Sequence, residues 1–231
     1  MEFERESFND GITIFKSYFS DILSEIESVL GDTDYHFNHT FEENRENELV
    51  FDPVGMNRAL GKQFANEGWK TEVKLEESDS GSGNAIDISK GNIAGEIQFG
   101  NFAYLGSDCN RLQRLYEGTL RIESGNEIEA GIIIVVKRDM PTSQSVSHFQ
   151  QAIGRAAPQT LVRKYTCPEC STEMSVGMPA LIYGIEPPEE GDAVYFNTYE
   201  APRSRTRIDQ EEIGFKKKHI SDNEQSEVED F

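Results

Sequence analysis

The stretch AGIIIVVK at residues 130–137 limits what this chain can become more than any other segment. It is a continuous apolar run rich in β-branched residues and far too short to cross a membrane. Such a run reads as a central strand covered on both faces, which calls for helices packed above and below a sheet.

The rest of the chain supplies those layers. Ile12, Phe15, Phe19, Ile22, Leu23, Ile26, Val29 and Leu30 recur at spacings of three and four, so one amphipathic helix is expected over residues 8–30, stopping at Gly31. Residues 31–48 are polar and read as loop. LVFDP (49–53) reads as a short strand, because Pro53 holds Asp52 out of the helical region. A helix is expected over 55–67, ending near Gly68. Residues 76–84 are a Gly/Ser/Asp-rich loop. AIDIS (85–89) and NIAGEIQF (92–99) form a hairpin joined at Lys90-Gly91. Helices are expected over 108–118 and near 146–156, and strands at PALIYGI (179–185) and AVYFNTY (193–199). There is no internal repeat and no strict βαβ rhythm. The expectation is a single α/β domain over residues 1–208, with a central mixed β-sheet flanked by helices. A disordered acidic tail is expected over 209–231.

The chain has 231 residues, and its 36% hydrophobic content suffices for a core. The N-terminus, MEFERESFNDG, is acidic where a secretory leader is basic and then apolar, so a soluble cytoplasmic protein is expected. Three cysteines make an odd count that argues against a disulfide framework. The 42 Asp and Glu residues exceed the 22 Lys and Arg, for a net charge of −20. That far field does not exclude a nucleic-acid partner, because binding depends on where the cations cluster. Arg203, Arg205 and Arg207 lie close in sequence, as do Arg111 and Arg114, and Arg163 with Lys164. The same surplus of carboxylate also fits a halophile's protein.

Chemistry concentrates in the hairpin. Along 92–99, Ile93, Gly95, Ile97 and Phe99 share an apolar face, while Ala94, Glu96 and Gln98 share the other. Asp87, between Ile86 and Ile88 on the preceding strand, is brought toward Glu96. Two converging carboxylates repel unless a cation sits between them, and all-oxygen ligands favour Mg²⁺ over Zn²⁺. The plainer reading of the same pattern is a half-exposed hairpin whose polar face meets water. Cys167-Pro-Glu-Cys170 has the form of half a zinc knuckle, two ligands short of a Zn²⁺ site unless a dimer supplies them; a Pro-containing turn with free thiols has the same sequence.

Four blocks carry a resemblance: LVFDPVGMN with GWK (49–70), IDISKGNIAGEIQFGN (86–101), GIIIVV with MPTSQSVSHFQQA (131–152), and NTYEAPRSRT (197–206). In them the chain resembles the BglII family of type II restriction endonucleases, within the PD-(D/E)xK nuclease superfamily. The resemblance covers most of residues 49–206. It implies a restriction-endonuclease-like fold, with a catalytic core over those residues. It also implies Mg²⁺ held by Asp87 and Glu96, and Gln98 standing where most of the superfamily has Lys. DNA contacts would come from Asn101, Arg111, Gln144, Ser145, Arg203 and Arg205. The partners implied are double-stranded DNA and a second copy of the chain. The target implied is a short palindrome with a GATC core, cut to leave a 5′ overhang. Two departures stand out: Gly100 replaces a Ser, and Glu72 replaces an Asn near the metal site, where it would add a third carboxylate. His148 reads as helix packing or as a phosphate contact. Two other functions fit parts of the pattern. One is a structure-specific repair nuclease of the same superfamily; the other is a non-enzymatic acidic protein that mimics DNA.

Overall fold

The computed structural model describes residues 1–216 except 41, 44, 46–47, 77–84, 101, 124, 143–147, 162, 167–172 and 202–203; the side chains of 102, 163–166 and 173–176 are also outside the description. The chain runs β1 (Phe3–Phe8), α1 (Gly11–Tyr18), α2 (Ser20–Asp32), β2 (His36–His39), β3 (Leu49–Phe51), α3 (Pro53–Asn66) and β4 (Lys70–Lys74). It continues with β5 (Ala85–Lys90), β6 (Ile93–Ile97), α4 (Phe102–Tyr116), β7 (Ala130–Val136) and α5 (Phe149–Gln151). A π-helical turn (Ala152–Ala156) leads into α6 (Ala157–Thr160), followed by β8 (Arg163–Thr166), β9 (Glu173–Val176), β10 (Ala180–Ile185), β11 (Ala193–Tyr199) and β12 (Arg207–Gly214).

The main sheet has the order β1-β10-β7-β6-β5-β4, and β7 sits inside it as expected. Its pairings with β10 and β6 are parallel, and the outer pairings are antiparallel, so the sheet is mixed. Every residue of β7 is buried. Ile132, Ile134 and Val136 join one apolar cluster with α1, α2 and α3, while Ile133 and Val135 join a second with α4 and α5. This alternation is the two-layer cover that the apolar run demands.

A second sheet, β12-β11-β2-β3, packs beside the first cluster. Phe51 of β3 meets Phe99, just past β6, edge to face at 5.1 Å. Asp52 caps α3 by accepting from the Val54 N–H (3.1 Å), with Pro53 at the first helical position. Gly68, at φ 80, follows the end of that helix.

Several expectations need correcting. The segment 8–30 is not one helix. Asn9 and Asp10 take left-handed backbone (φ 50 and 59), turning the chain out of β1, and α1 and α2 break at Phe19. Residues 36–39, expected as loop, pair with β3 and β11. The hairpin turn is Gly91-Asn92, since Lys90 pairs with Ile93, and Gly91 supplies a positive φ of 58. The expected boundary at 208 also fails. β12 runs along β11 from Arg207 to Gly214, and Phe215 is buried beside Phe37. An edge strand with one face in water reads as polar, which hid it. Residues 217–231 lie outside the described residues.

Candidate active site

β5 and β6 place Asp87 and Glu96 within hydrogen-bonding reach of each other. Asp87 faces a cleft of about 680 Å³ lined also by Asn57, Arg58, Glu72, Gln98 and Arg205. Its Oδ2 accepts from the Ile97 N–H at 2.7 Å, which fixes its rotamer. Glu96 lies behind it and is only 2% exposed, while Asp87 itself is exposed, so the polar face of the hairpin meets water at Asp87 and not at Glu96. Burial first, and then the neighbouring Asp87 charge, push the Glu96 carboxyl well above the usual carboxylate range. Loss of water also raises Asp87, against the Ile97 hydrogen bond and the Arg111 charge.

α4 supplies a cation and an acid to this pair. Arg111 Nε donates to Glu96 Oε1 (2.7 Å), and its Nη2 donates to Asp108 Oδ1 (2.5 Å). Gln98 Nε2 donates to Asp108 Oδ2 (2.6 Å), while its Oε1 accepts from the Gly100 N–H (2.8 Å). Burial is the main cause that raises Asp108 too, opposed by the Arg111 charge. Burial works to lower Arg111, but Glu96 and Asp108 prevail and hold it above its ordinary value.

Glu72 comes to the same cleft. In the β4–β5 register it falls opposite Asp87, between the pairs Thr71↔Ile88 and Val73↔Ile86, with a left-handed φ of 50. Its charge bears on Asp87. Among the described residues no three His, Cys, Asp or Glu side chains converge as a complete metal-ligand set. The Asp87–Glu96 pair nevertheless fits a hard cation. Two carboxylates whose protonation is favoured by loss of water, and for Glu96 also by the Asp87 charge, are a donor set in want of positive charge.

The expected DNA contacts divide. Arg205 is exposed at the cleft, and its carbonyl accepts from Arg58 Nη2 (3.2 Å). Arg111 is turned inward onto Glu96 and Asp108, away from the DNA-facing role expected of it. Asn101, Gln144, Ser145, Arg203, Cys167 and Cys170 lie outside the described residues. His148 is half-buried and precedes α5, where its backbone N–H donates to Gln151 Oε1 (3.0 Å). Asp108 and Arg58 are additional site residues that the sequence reading missed. Asp108 stands three residues before Arg111 on one helix face, a spacing that signals an ion pair. Arg58 shows no signal in the sequence, because only the fold brings it beside Arg205.

No helix among the described residues is long and apolar enough to cross a membrane. The family model for restriction endonuclease BglII/BglIII matches residues 3–169. The type II restriction enzyme BglII of Bacillus subtilis is 26% identical over 131 residues, which span 57% of this chain and 58% of that enzyme's length. The crystal structure of restriction endonuclease BglII complexed with a DNA 16-mer superposes with a TM-score of 0.77 at 20% identity, covering 92% of each chain. Free BglII gives 0.64 at 20% identity, covering 92% of this chain and 93% of that one. The mixed sheet and its flanking helices are therefore those of a restriction endonuclease, and with well over half its length matched by the family model, the chain belongs to the BglII/BglIII restriction endonuclease family.

Proposed function

We propose that this chain is a type II restriction endonuclease, hydrolysing phosphodiester bonds of double-stranded DNA at a short palindrome, with Mg²⁺ and as a homodimer in the cytoplasm. The observation that carries the reading is the Asp87–Glu96 pair at a cleft whose rim bears Arg58 and Arg205. The reading is supported by the family match and by the likeness to a DNA-bound relative. Two copies related by a two-fold axis present the same site to each strand of a palindrome. A GATC core and a 5′ overhang follow from the family resemblance.

The residues divide the work. Asp87 presents its carboxylate to the cleft, and Glu96 backs it; together they would hold the cation. When bound, a divalent cation supplies Lewis acidity at the scissile phosphate and a more acidic water. Arg111 holds Glu96 in place from α4. Gln98 has no titratable proton and cannot act as a general acid or base. Its amide is spent between Asp108 and Gly100, so it braces the strand end. Arg58 and Arg205 offset phosphate charge at the rim, and an Arg that reaches a base edge can grip guanine through two parallel hydrogen bonds.

Incubation with plasmid DNA, with and without Mg²⁺, tests the proposal. Discrete Mg²⁺-dependent fragments, mapped to one palindrome, are expected. Cutting governed by branches or flaps would favour a repair nuclease, and an intact plasmid under all conditions would leave the acidic mimic.

A further inference from the structure

A second pocket of about 310 Å³ lies between α3 and the β11–β12 edge, apart from the Asp87 cleft. Asp34, His36, Arg58, Lys62, Arg207 and Gln210 are among its lining residues. Three cations thus face one pocket in a chain of net charge −20, with Asp34 the single carboxylate in the lining. Among the described residues, none of the three pairs with a carboxylate. Arg58 donates to a backbone carbonyl, and Arg207 Nη1 to the amide oxygen of Asn197 at 3.3 Å. A protein with carboxylate in such excess has partners to spare, so three cations left without one mark a place where an anion from outside completes the charge.

The pocket also adjoins the cleft along α3, and Arg58 lines both. Residues 55, 58, 59, 62 and 63 form one face of α3, and 53, 54, 57, 58 and 61 form the adjoining face that lines the cleft. Arg58 stands on the ridge between the two. Lys62 lies one turn further on, about 6 Å along the axis. We infer that this pocket takes a backbone phosphate of the same DNA duplex outside the cut site, so that Arg58, Lys62 and Arg207 form a clamp on the flanking DNA. The inference rests on the proposed function. Contacts confined to backbone phosphate carry no sequence information, so such a clamp adds affinity and register without sequence preference.

Salt dependence of duplex binding by the full chain, without divalent metal, tests it. Lys62→Gln and Arg207→Gln should each lower the slope of log K against log salt by about 1, equally on cognate and scrambled long duplexes. Lys62 is exposed and without a described partner, so its substitution keeps the fold if Arg207→Gln does not. On a duplex trimmed to the recognition sequence, variant and wild type should coincide. Wild-type slopes for both variants on long duplexes overturn the clamp. So does protection of Lys62 from acetylation by inorganic phosphate as fully as by the long duplex, which makes the pocket a small-anion site. A wild-type chain that binds no DNA overturns the proposed function itself, and that result needs no variant.

Discussion

Asp87 and Glu96 sit on neighbouring strands but play unequal parts. Asp87 opens on the cleft, and Glu96 is sealed behind it by Arg111. Asp87→Ala should therefore take cleavage below detection while leaving metal-free DNA binding measurable. Turnover at the wild-type rate in Mg²⁺ removes the assignment. Glu72 is the subtler case. A non-glycine residue at φ 50 sits in left-handed backbone at a cost of about 1 kcal/mol. Asn tolerates that backbone best, and Asn is what the family resemblance carries there. Glu in that place needs another reason, and the proposed metal site would supply one, since the Glu72 charge bears on Asp87. Glu72→Gln should raise the Mg²⁺ concentration for half-maximal cleavage about fivefold, the factor matching about 1 kcal/mol of lost charge attraction. A titration curve superimposable on wild type returns Glu72 to a surface role. Arg205→Ala should weaken specific binding by about 1–3 kcal/mol if the guanidinium meets a base edge; equal losses on scrambled DNA would show a phosphate contact instead. The carboxylate pair was legible in the sequence because strand alternation and a short turn dictate which side chains meet. The inward turn of Arg111 was not, since a helical residue's partners depend on how α4 docks on β6.

At the scale of elements, the strands with simple periodicity were legible: β5, β6, β7, β10 and β11 lie where alternation or a continuous apolar run placed them. β1, β2, β4 and β12 were not. They are edge or short strands with a polar face, and β1 and β2 also pair with strands distant in sequence, β10 and β11. The break between β1 and α1 depends on a close approach. A Cβ on Gly11 would stand 2.3 Å from the Ala180 carbonyl oxygen, a backbone atom that cannot swing aside. Gly11→Ala should therefore destabilise the fold by about 3 kcal/mol, read as a lower urea midpoint. Asp52 ties α3 to the second sheet. Beyond its cap, its Oδ2 accepts from Asn197 Nδ2 (2.7 Å) and from the Tyr199 hydroxyl (2.5 Å). Removing a cap while stranding two donors predicts a loss of about 3 kcal/mol for Asp52→Ala. Denaturation with an unchanged midpoint contradicts it.

For the whole molecule, the acids around the site make stability depend on pH, and under the proposed function on metal as well. Asp87, Glu96 and Asp108 are all raised from their ordinary values, Glu96 the furthest, with loss of water the first cause of each. The fold favours their protonated forms, so their contribution is full below about pH 4 and is lost as pH rises through the raised values. The metal-free protein should accordingly melt lower at neutral pH than in mild acid, and Mg²⁺ should raise the melting temperature more at neutral pH than near pH 5. Glu96→Gln should raise the metal-free melting temperature at neutral pH while abolishing cleavage; a lower one refutes the assignment of strain to this carboxyl. The order of the main sheet also sets a timetable. β1 (Phe3–Phe8) pairs only with β10 (Ala180–Ile185), and β7 gains its second parallel neighbour only when β10 arrives. At roughly 5–20 residues per second of synthesis, the first strand waits on the order of 10–40 s for its partner to be made. The hairpin carrying Asp87 and Glu96 leaves the ribosome long before that, joined to an unfinished sheet. The cell therefore meets the two carboxylates first as part of an unfinished sheet, and the cleft they face gains its full backing only after β10 has been made.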